Sequence, residues 1–134
     1  MDAPRPRKLV VAALIAQKGH ILLSQRRSDQ SMPNKWELPG GKIESSESPQ
    51  DALAREIQEE LGCGATVGEI YDVIFHAYPE FDLYMLIYHA NLLGEPQAQE
   101  VSAVRWVPHQ ELPDMDLLPA DRPLVQRLAL ASIF

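Results

Sequence analysis

Residues 40–63 read GGKIESSESPQDALAREIQEELGC, and the second half of that stretch carries the signals of a helix with two unlike faces. Ser48 is placed to cap the first turn. Pro49 suits the first helical position, where its missing N–H is no loss, and Asp51 resembles the acid of a capping box. Gly62 supplies the stop, so the predicted helix runs to Leu61. At about 100° per residue, Glu56, Glu59 and Glu60 share an arc of about 100°, while Leu53, Ile57 and Leu61 fill the neighbouring arc. Like charges at i,i+4 cost roughly 0.2–0.5 kcal/mol, and acids in the C-terminal half of a helix also oppose its dipole. The sequence keeps an arrangement that costs it stability.

A solvated acidic face is one explanation that the glutamates alone leave open. Such faces usually mix Lys and Arg with Glu, yet within this helix only Arg55 offsets Asp51, Glu56, Glu59 and Glu60. Three carboxylates without matching cations are hard oxygen donors suited to a divalent ion such as Mg²⁺. A bound ion would remove the repulsion.

The surrounding chain has 134 residues, long enough for one domain with its own core and short for two. With 46% hydrophobic and 23% charged residues it has a globular composition rather than a disordered or fibrous one. No apolar run approaches the length that spans a bilayer. The N-terminal MDAPRPRKLV is basic and proline-containing, without the apolar stretch of a signal peptide. A cytoplasmic protein with no membrane partner is expected. Cys63, the one cysteine, has no partner for an internal disulfide and reads as a small buried residue at the end of the helix. A net charge of -7 argues against a broad basic face for nucleic acid, so an anionic substrate needs a few placed cations or a metal.

Along the chain, KLVVAALIAQ and ILLSQRR read as two strands of a hairpin turning at Gly19. Trp36–Leu38 is a short extended piece before a Pro-Gly-Gly loop. EIYDVIFHAY and FDLYMLIYHANLL read as strands around the turn PEF, and VSAVRWVP as another. A short helix is expected near His109 to Leu112. A final helix, opened by Asp121, carries Leu124, Val125, Leu128 and Leu130 on its apolar side. Strands before and after helices suggest an α/β architecture, a mixed sheet covered by helices.

From Gly41 through Glu47 to REIQEELGC at 55–63, the chain resembles the Nudix box, G-x5-E-x7-R-E-U-x-E-E-x-G-U with U bulky and apolar. Every fixed position is filled, with Cys63 in place of the usual aliphatic. ILLSQRR, NKWELPGGKIE, GEPQAQE, RWVP and LLPADRPLV extend the resemblance, in order, to MutT-like nucleoside triphosphate pyrophosphohydrolases. The resemblance implies a single domain over residues 1–134 with the Nudix fold, an α/β/α sandwich around a mixed β-sheet.

It also implies residue roles. Glu56, Glu59 and Glu60 become the ligands of Mg²⁺ or Mn²⁺, joined by the Gly40 carbonyl and by Glu100 from another loop. Arg55 looks like the residue that orients Glu56, and Glu47 like a supporting acid. Glu56 is the first choice of general base and Glu100 the second. Hydrolysis of a phosphoanhydride needs charge neutralisation and an activated water, and Arg26 and Lys42 are the candidate phosphate cations.

At the base, Asp121 stands where 8-oxoguanine enzymes of this branch commonly have Asn and cytidine triphosphate enzymes have Asp. Ionised, it only accepts hydrogen bonds; capping the last helix is its plainer role. Tyr78 and Phe81 are candidate stacking residues. The implied activity is hydrolysis of (d)NTPs, normal or oxidised such as 8-oxo-dGTP, to the monophosphate and pyrophosphate. Preference for CTP, action on RNA 5′ ends or ADP-ribose, and an inactive nucleotide-sensing module are the alternatives. The last typically lacks box glutamates, and none is missing here. No stable nucleic-acid partner is expected; monomer and homodimer are both compatible.

Overall fold

The fold is organised around β1 (Arg7–Leu14), which is apolar without interruption from Leu9 onward, as a strand covered on both faces must be. In the computed structural model, which describes residues 4–130, β1 pairs antiparallel with β5 (Gly40–Lys42) and parallel with β7 (Asp82–Leu92). With β6 (Ala65–Ala77) on the far side of β7, the result is a mixed sheet in the order β5-β1-β7-β6. A second, antiparallel sheet centres on β3 (His20–Gln25), which pairs with β2 (Ala16–Gln17), β4 (Trp36–Glu37) and β8 (Ala103–Pro108).

The alternation of β1 divides the core in two. Val11, Ala13 and the following Ile15 pack with Ala52, Leu53, Ile57 and Leu61 of α1 (Pro49–Leu61). Ala12 and Leu14 pack with Ile21 and Leu23 of β3 and with Leu124, Val125 and Leu128 of α2 (Arg122–Leu130). Helices therefore cover the mixed sheet from both sides, as expected. Each fully buried Leu or Ile in these layers contributes roughly 1.5–3 kcal/mol, so truncating Leu53, wholly enclosed, removes packing on which the placement of α1 depends.

The helix signals around α1 act as read. The Ser48 side chain accepts from the Asp51 N–H, Pro49 opens the helix, and Gly62 closes it in the left-handed conformation. Cys63 is buried against the α1 core.

Elsewhere the structure corrects the expectations. The turn at Gly19 exists, with Lys18 and Gly19 both at positive φ, but only β2 pairs back onto β3. The chain leaves the first sheet at Ile15, and β1 pairs instead with β5 and with the distant β7. The Pro-Gly-Gly segment is more than a loop, because Gly40–Lys42 is a strand against β1. Strand β6 begins at Ala65, earlier than its aliphatic centre suggests. The short helix expected near His109 to Leu112 is present, as the 3-10 helix His109–Asp114. Leu130 is 89% exposed and belongs to no core.

Candidate active site

A cleft of about 540 Å³ opens along β1, within the range of small-molecule sites. Its lining includes the acidic end with Gly40, Gly41, Lys42, Glu56, Glu60 and Glu100, the group Lys8, Tyr78 and Phe81, and Ala120 and Asp121, with Arg26 and Glu37 also on its wall.

Two glycines allow the acidic end to close. A Cβ on Gly40 would stand 2.0 Å from the Val11 carbonyl oxygen, and one on Gly41 would stand 2.4 Å from the Glu56 carboxyl carbon. Side chains at either position would push β5 off β1 or Glu56 out of the cleft.

Arg55 sorts the surrounding carboxylates. Its guanidinium donates to both Glu47 oxygens at 2.7 and 2.9 Å, to Glu56 at 3.0 Å, to Glu59 at 3.2 Å and to the Lys42 carbonyl at 3.0 Å. The hydrogen bonds from Arg55 hold the Glu47 carboxyl below the usual range, and Glu47 in turn makes the guanidinium bind its proton still more firmly. Glu59 is turned toward Arg55, is 45% exposed and does not line the cleft. Glu56 and Glu60 do.

Burial raises the Glu56 carboxyl. It raises Glu60 far more, with further repulsion from Glu37 and Glu56. Glu60 also takes a backbone hydrogen bond at Gly40, with the Glu56 carboxyl as a repelling neighbour. The stripe inferred from sequence is thus divided by position: Arg55 donates to both Glu56 and Glu59, but only Glu56 and Glu60 line the cleft.

Glu100 reaches the same end through its loop. The backbone N–H groups of Gln99 and Glu100 donate to the Glu60 carbonyl and that of Gln97 to the Leu61 carbonyl, while the Gln99 side chain donates to the Glu59 carbonyl. These bonds satisfy the carbonyls that a helix end leaves open. Among the described residues no three Asp, Glu, His or Cys side chains form a finished metal cage. The donor set still fits a hard divalent ion. Burial and neighbouring carboxylates disfavour charge on Glu56 and Glu60, a cost an ion would relieve, Gly41 leaves room beside Glu56, and the Gly40 carbonyl and Glu100 are further oxygens on the same wall.

Of the two cations expected at phosphate, Lys42 is exposed and lines the cleft. Arg26 is committed: it donates to Glu37 at 3.1 Å, to the Ser31 carbonyl at 2.8 Å and to the Ser31 hydroxyl at 3.1 Å. Burial raises the Glu37 carboxyl and Arg26 opposes that rise.

Asp121, also on the cleft wall, is 3% exposed and lies in the 3-10 turn Pro119–Asp121. Its carboxyl takes a backbone hydrogen bond at Leu38, beside β4, and Oδ1 has no protein partner. Burial, then repulsion from Glu37, pushes this carboxyl well above the usual range. Burial thus works against the ionised, acceptor-only form expected from sequence, and a protonated carboxyl at this place would donate as well as accept. The Ala120 N–H donates to the Tyr78 hydroxyl at 3.3 Å, and the Tyr78 and Phe81 rings lie 5.0 Å apart. Both aromatics are half-buried on the cleft wall.

The NUDIX domain family model matches residues 5–128. The chain belongs to the Nudix family. Among its relatives are the CTP pyrophosphohydrolase of Escherichia coli K12, 39% identical and covering 87% of each chain, and the 8-oxo-dGTP diphosphatase of Haemophilus influenzae, 35% identical over 89% of each. The crystal structure of the MutT protein of Methanosarcina mazei superimposes with a TM-score of 0.85 at 26% identity, covering 95% of this chain and 96% of that one. Nudix hydrolases generally need a divalent metal. In this Nudix chain no helix among the described residues is long and apolar enough to cross a membrane.

Sequence reasoning placed Glu47, Arg55, Glu56, Glu60, Gly40, Glu100, Lys42, Tyr78, Phe81 and Asp121 around one Nudix cleft or its support. It missed Glu37 and Lys8. Glu37 stands inside NKWELPGGKIE, and an acid set between the apolar Trp36 and Leu38 was the available signal. Lys8 gave none. His20, His76, His89 and His109 contact a carbonyl or an aromatic ring in each case.

Proposed function

We propose that this Nudix hydrolase cleaves nucleoside triphosphates to the monophosphate and pyrophosphate, using Mg²⁺ or Mn²⁺. One observation carries the reading: Glu56 and Glu60, crowded and partly buried, line a cleft that also holds a buried carboxyl with an unpartnered oxygen, that of Asp121. The first feature suits a phosphoanhydride and the second a base edge.

Glu56, Glu60, Glu100 and the Gly40 carbonyl would hold the divalent ion, which when bound supplies charge neutralisation and a more acidic water. Arg55 fixes the Glu56 carboxylate by donating to it while Glu47 anchors the other side of the guanidinium. Glu56 then accepts the proton of the attacking water, with Glu100 as the second candidate. Lys42 faces the phosphates. Glu59 helps to hold Arg55 rather than the ion, a change from its expected role.

The relatives' named substrates, CTP and 8-oxo-dGTP, each carry a base with an amino group and a carbonyl. Such a base matches a carboxyl that can both donate and accept. The test is a hydrolysis screen with Mg²⁺ over normal and oxidised (d)NTPs, triphosphorylated RNA and ADP-ribose, reading released pyrophosphate and phosphate. Turnover confined to (d)NTPs with pyrophosphate as product is the expected result, and turnover only of ADP-ribose or RNA would replace the assignment.

A further inference from the structure

Lys8 is a cation that the reaction described above does not use. On β1 the side chains of Lys8, Val10 and Ala12 fall on one face by the alternation of a strand, and all three line the cleft. Ala12 is paired with Gly40 at the acidic end. Lys8 lies four residues away, roughly 13 Å at about 3.3 Å per residue, beside the aromatic pair at the opposite end. Its Nζ stands 4.0 Å from the centroid of the Phe81 ring, and among the described residues it forms no ion pair with a carboxylate.

Its surroundings are braced. Arg5 donates to the Asp82 carboxylate at 2.9 Å, to the Pro79 carbonyl at 3.2 Å and to the Tyr78 carbonyl. The turn that carries Phe81 is thereby tied to the segment that carries Lys8. A second tie, from the Ala120 N–H to the Tyr78 hydroxyl, joins that turn to the Asp121 segment.

An ammonium over a half-exposed ring is held weakly. The ring face it covers is one that a stacked base can use. A base arriving there displaces the ammonium without sending it away, because the four-carbon stem remains anchored on β1. An ammonium has three donors and no acceptor, so it meets the base edge as a donor and selects a carbonyl oxygen.

We propose that Lys8 is a specificity-determining residue: it vacates the Phe81 face for the base and donates to a base carbonyl, so that Lys8 and Asp121 together select bases bearing both a carbonyl and an amino group over adenine. The inference rests on the nucleotide reading given above and goes beyond it by naming the base class and the cation that reads it.

The test is equilibrium binding of GMP, CMP and AMP, measured by calorimetry without metal, to the wild-type protein, Lys8→Met and Lys8→Arg. Met keeps most of the apolar stem and loses the donors; Arg restores them. A hydrogen bond from a charged donor leads to the expectation that Lys8→Met weakens GMP and CMP by about tenfold or more, with AMP changing less than about twofold and Lys8→Arg recovering most of the loss. An equal loss for all three nucleotides overturns the proposal, since a phosphate contact or a packing defect does that. No change for GMP and CMP overturns it too, as does a wild-type protein that binds none of the three. Triphosphate turnover by the same wild-type sample reports separately on the hydrolase reading. A protein that discriminates among the monophosphates through Lys8 but hydrolyses nothing keeps this inference and loses that one.

Discussion

The carboxyl groups along the cleft stand in two settings. On α1 they are crowded: Arg55 donates to Glu47, Glu56 and Glu59, while Glu56 and Glu60 face the cleft with burial opposing their charge. Asp121, apart from that helix, is nearly sealed from water with one oxygen unpartnered and Glu37 as a repelling neighbour. A cation would relieve the crowding on α1, whereas burial strengthens the hold of Asp121 on a proton. Environment, more than residue type, separates charge handling from hydrogen-bond reading.

The sharpest way to break this contrast lies within α1. Glu56→Gln and Glu60→Gln are each expected to lower kcat by about 10³-fold, in line with losing a general base or a metal ligand, with circular dichroism unchanged. Glu59→Gln, exposed and outside the cleft, is expected to cost less than about tenfold. Equal losses in all three would erase the division between Glu59 and the cleft-facing glutamates.

Gly41→Ala comes next. The added Cβ collides with the Glu56 carboxylate, and a displacement of this kind is expected to cost about 10²-fold in kcat/KM. Gly64→Ala, whose Cβ would meet only Leu93 side-chain atoms at 3.3 Å or more, is the control and should leave activity near that of the wild-type protein.

A third measurement concerns proton binding at Glu56 and Glu60. Because Glu56 and Glu60 both have raised pKa values, Mg²⁺ affinity should climb as pH rises, by up to about tenfold per pH unit for each proton displaced. Calorimetry in buffers of different ionisation enthalpy should show proton release on binding. Affinity that is flat from weakly acid to weakly basic pH would mean that the pair is already ionised.

The smallest effect is at Asp121. Below the unfolded-state pKa of about 3.9, folded and unfolded chains are both protonated at this residue, and its raised folded pKa contributes its full stability there. That contribution is lost as pH rises through the folded value, because the unfolded chain ionises freely and the folded one cannot. Asp121→Asn avoids the loss. It should match the wild-type protein in acid and exceed it near neutral pH by about 1–3 kcal/mol, a few degrees in Tm by differential scanning calorimetry. A variant that is less stable at every pH would show that the carboxyl makes interactions the amide cannot replace.

What could be read from sequence follows the range of the interactions. The α1 boundaries were legible because Ser48, Pro49 and Gly62 act within a turn of themselves. The partner of β1 was not. Arg7 pairs with Asp82 and Leu14 with His89, and no local pattern announces a parallel match across so much chain, whereas a glycine turn suggests the nearby hairpin. The position of Asp121 was found through the LLPADRPLV resemblance, but its protonation is set by burial beside β4, a tertiary property. Arg26 was read as free for the same reason. Its engagement by Glu37 and Ser31 depends on how β3 and β4 lie against each other.

The loop at 97–101 ties Glu100 to the backbone of the very helix that carries Glu56 and Glu60, through amides that finish that helix. The proposed ligands from two distant stretches of chain are therefore held together by the same amides. Lengthening this loop would fray the last turn of the helix and shift the reach of Glu100 in a single step, and evolution cannot tune one without disturbing the other.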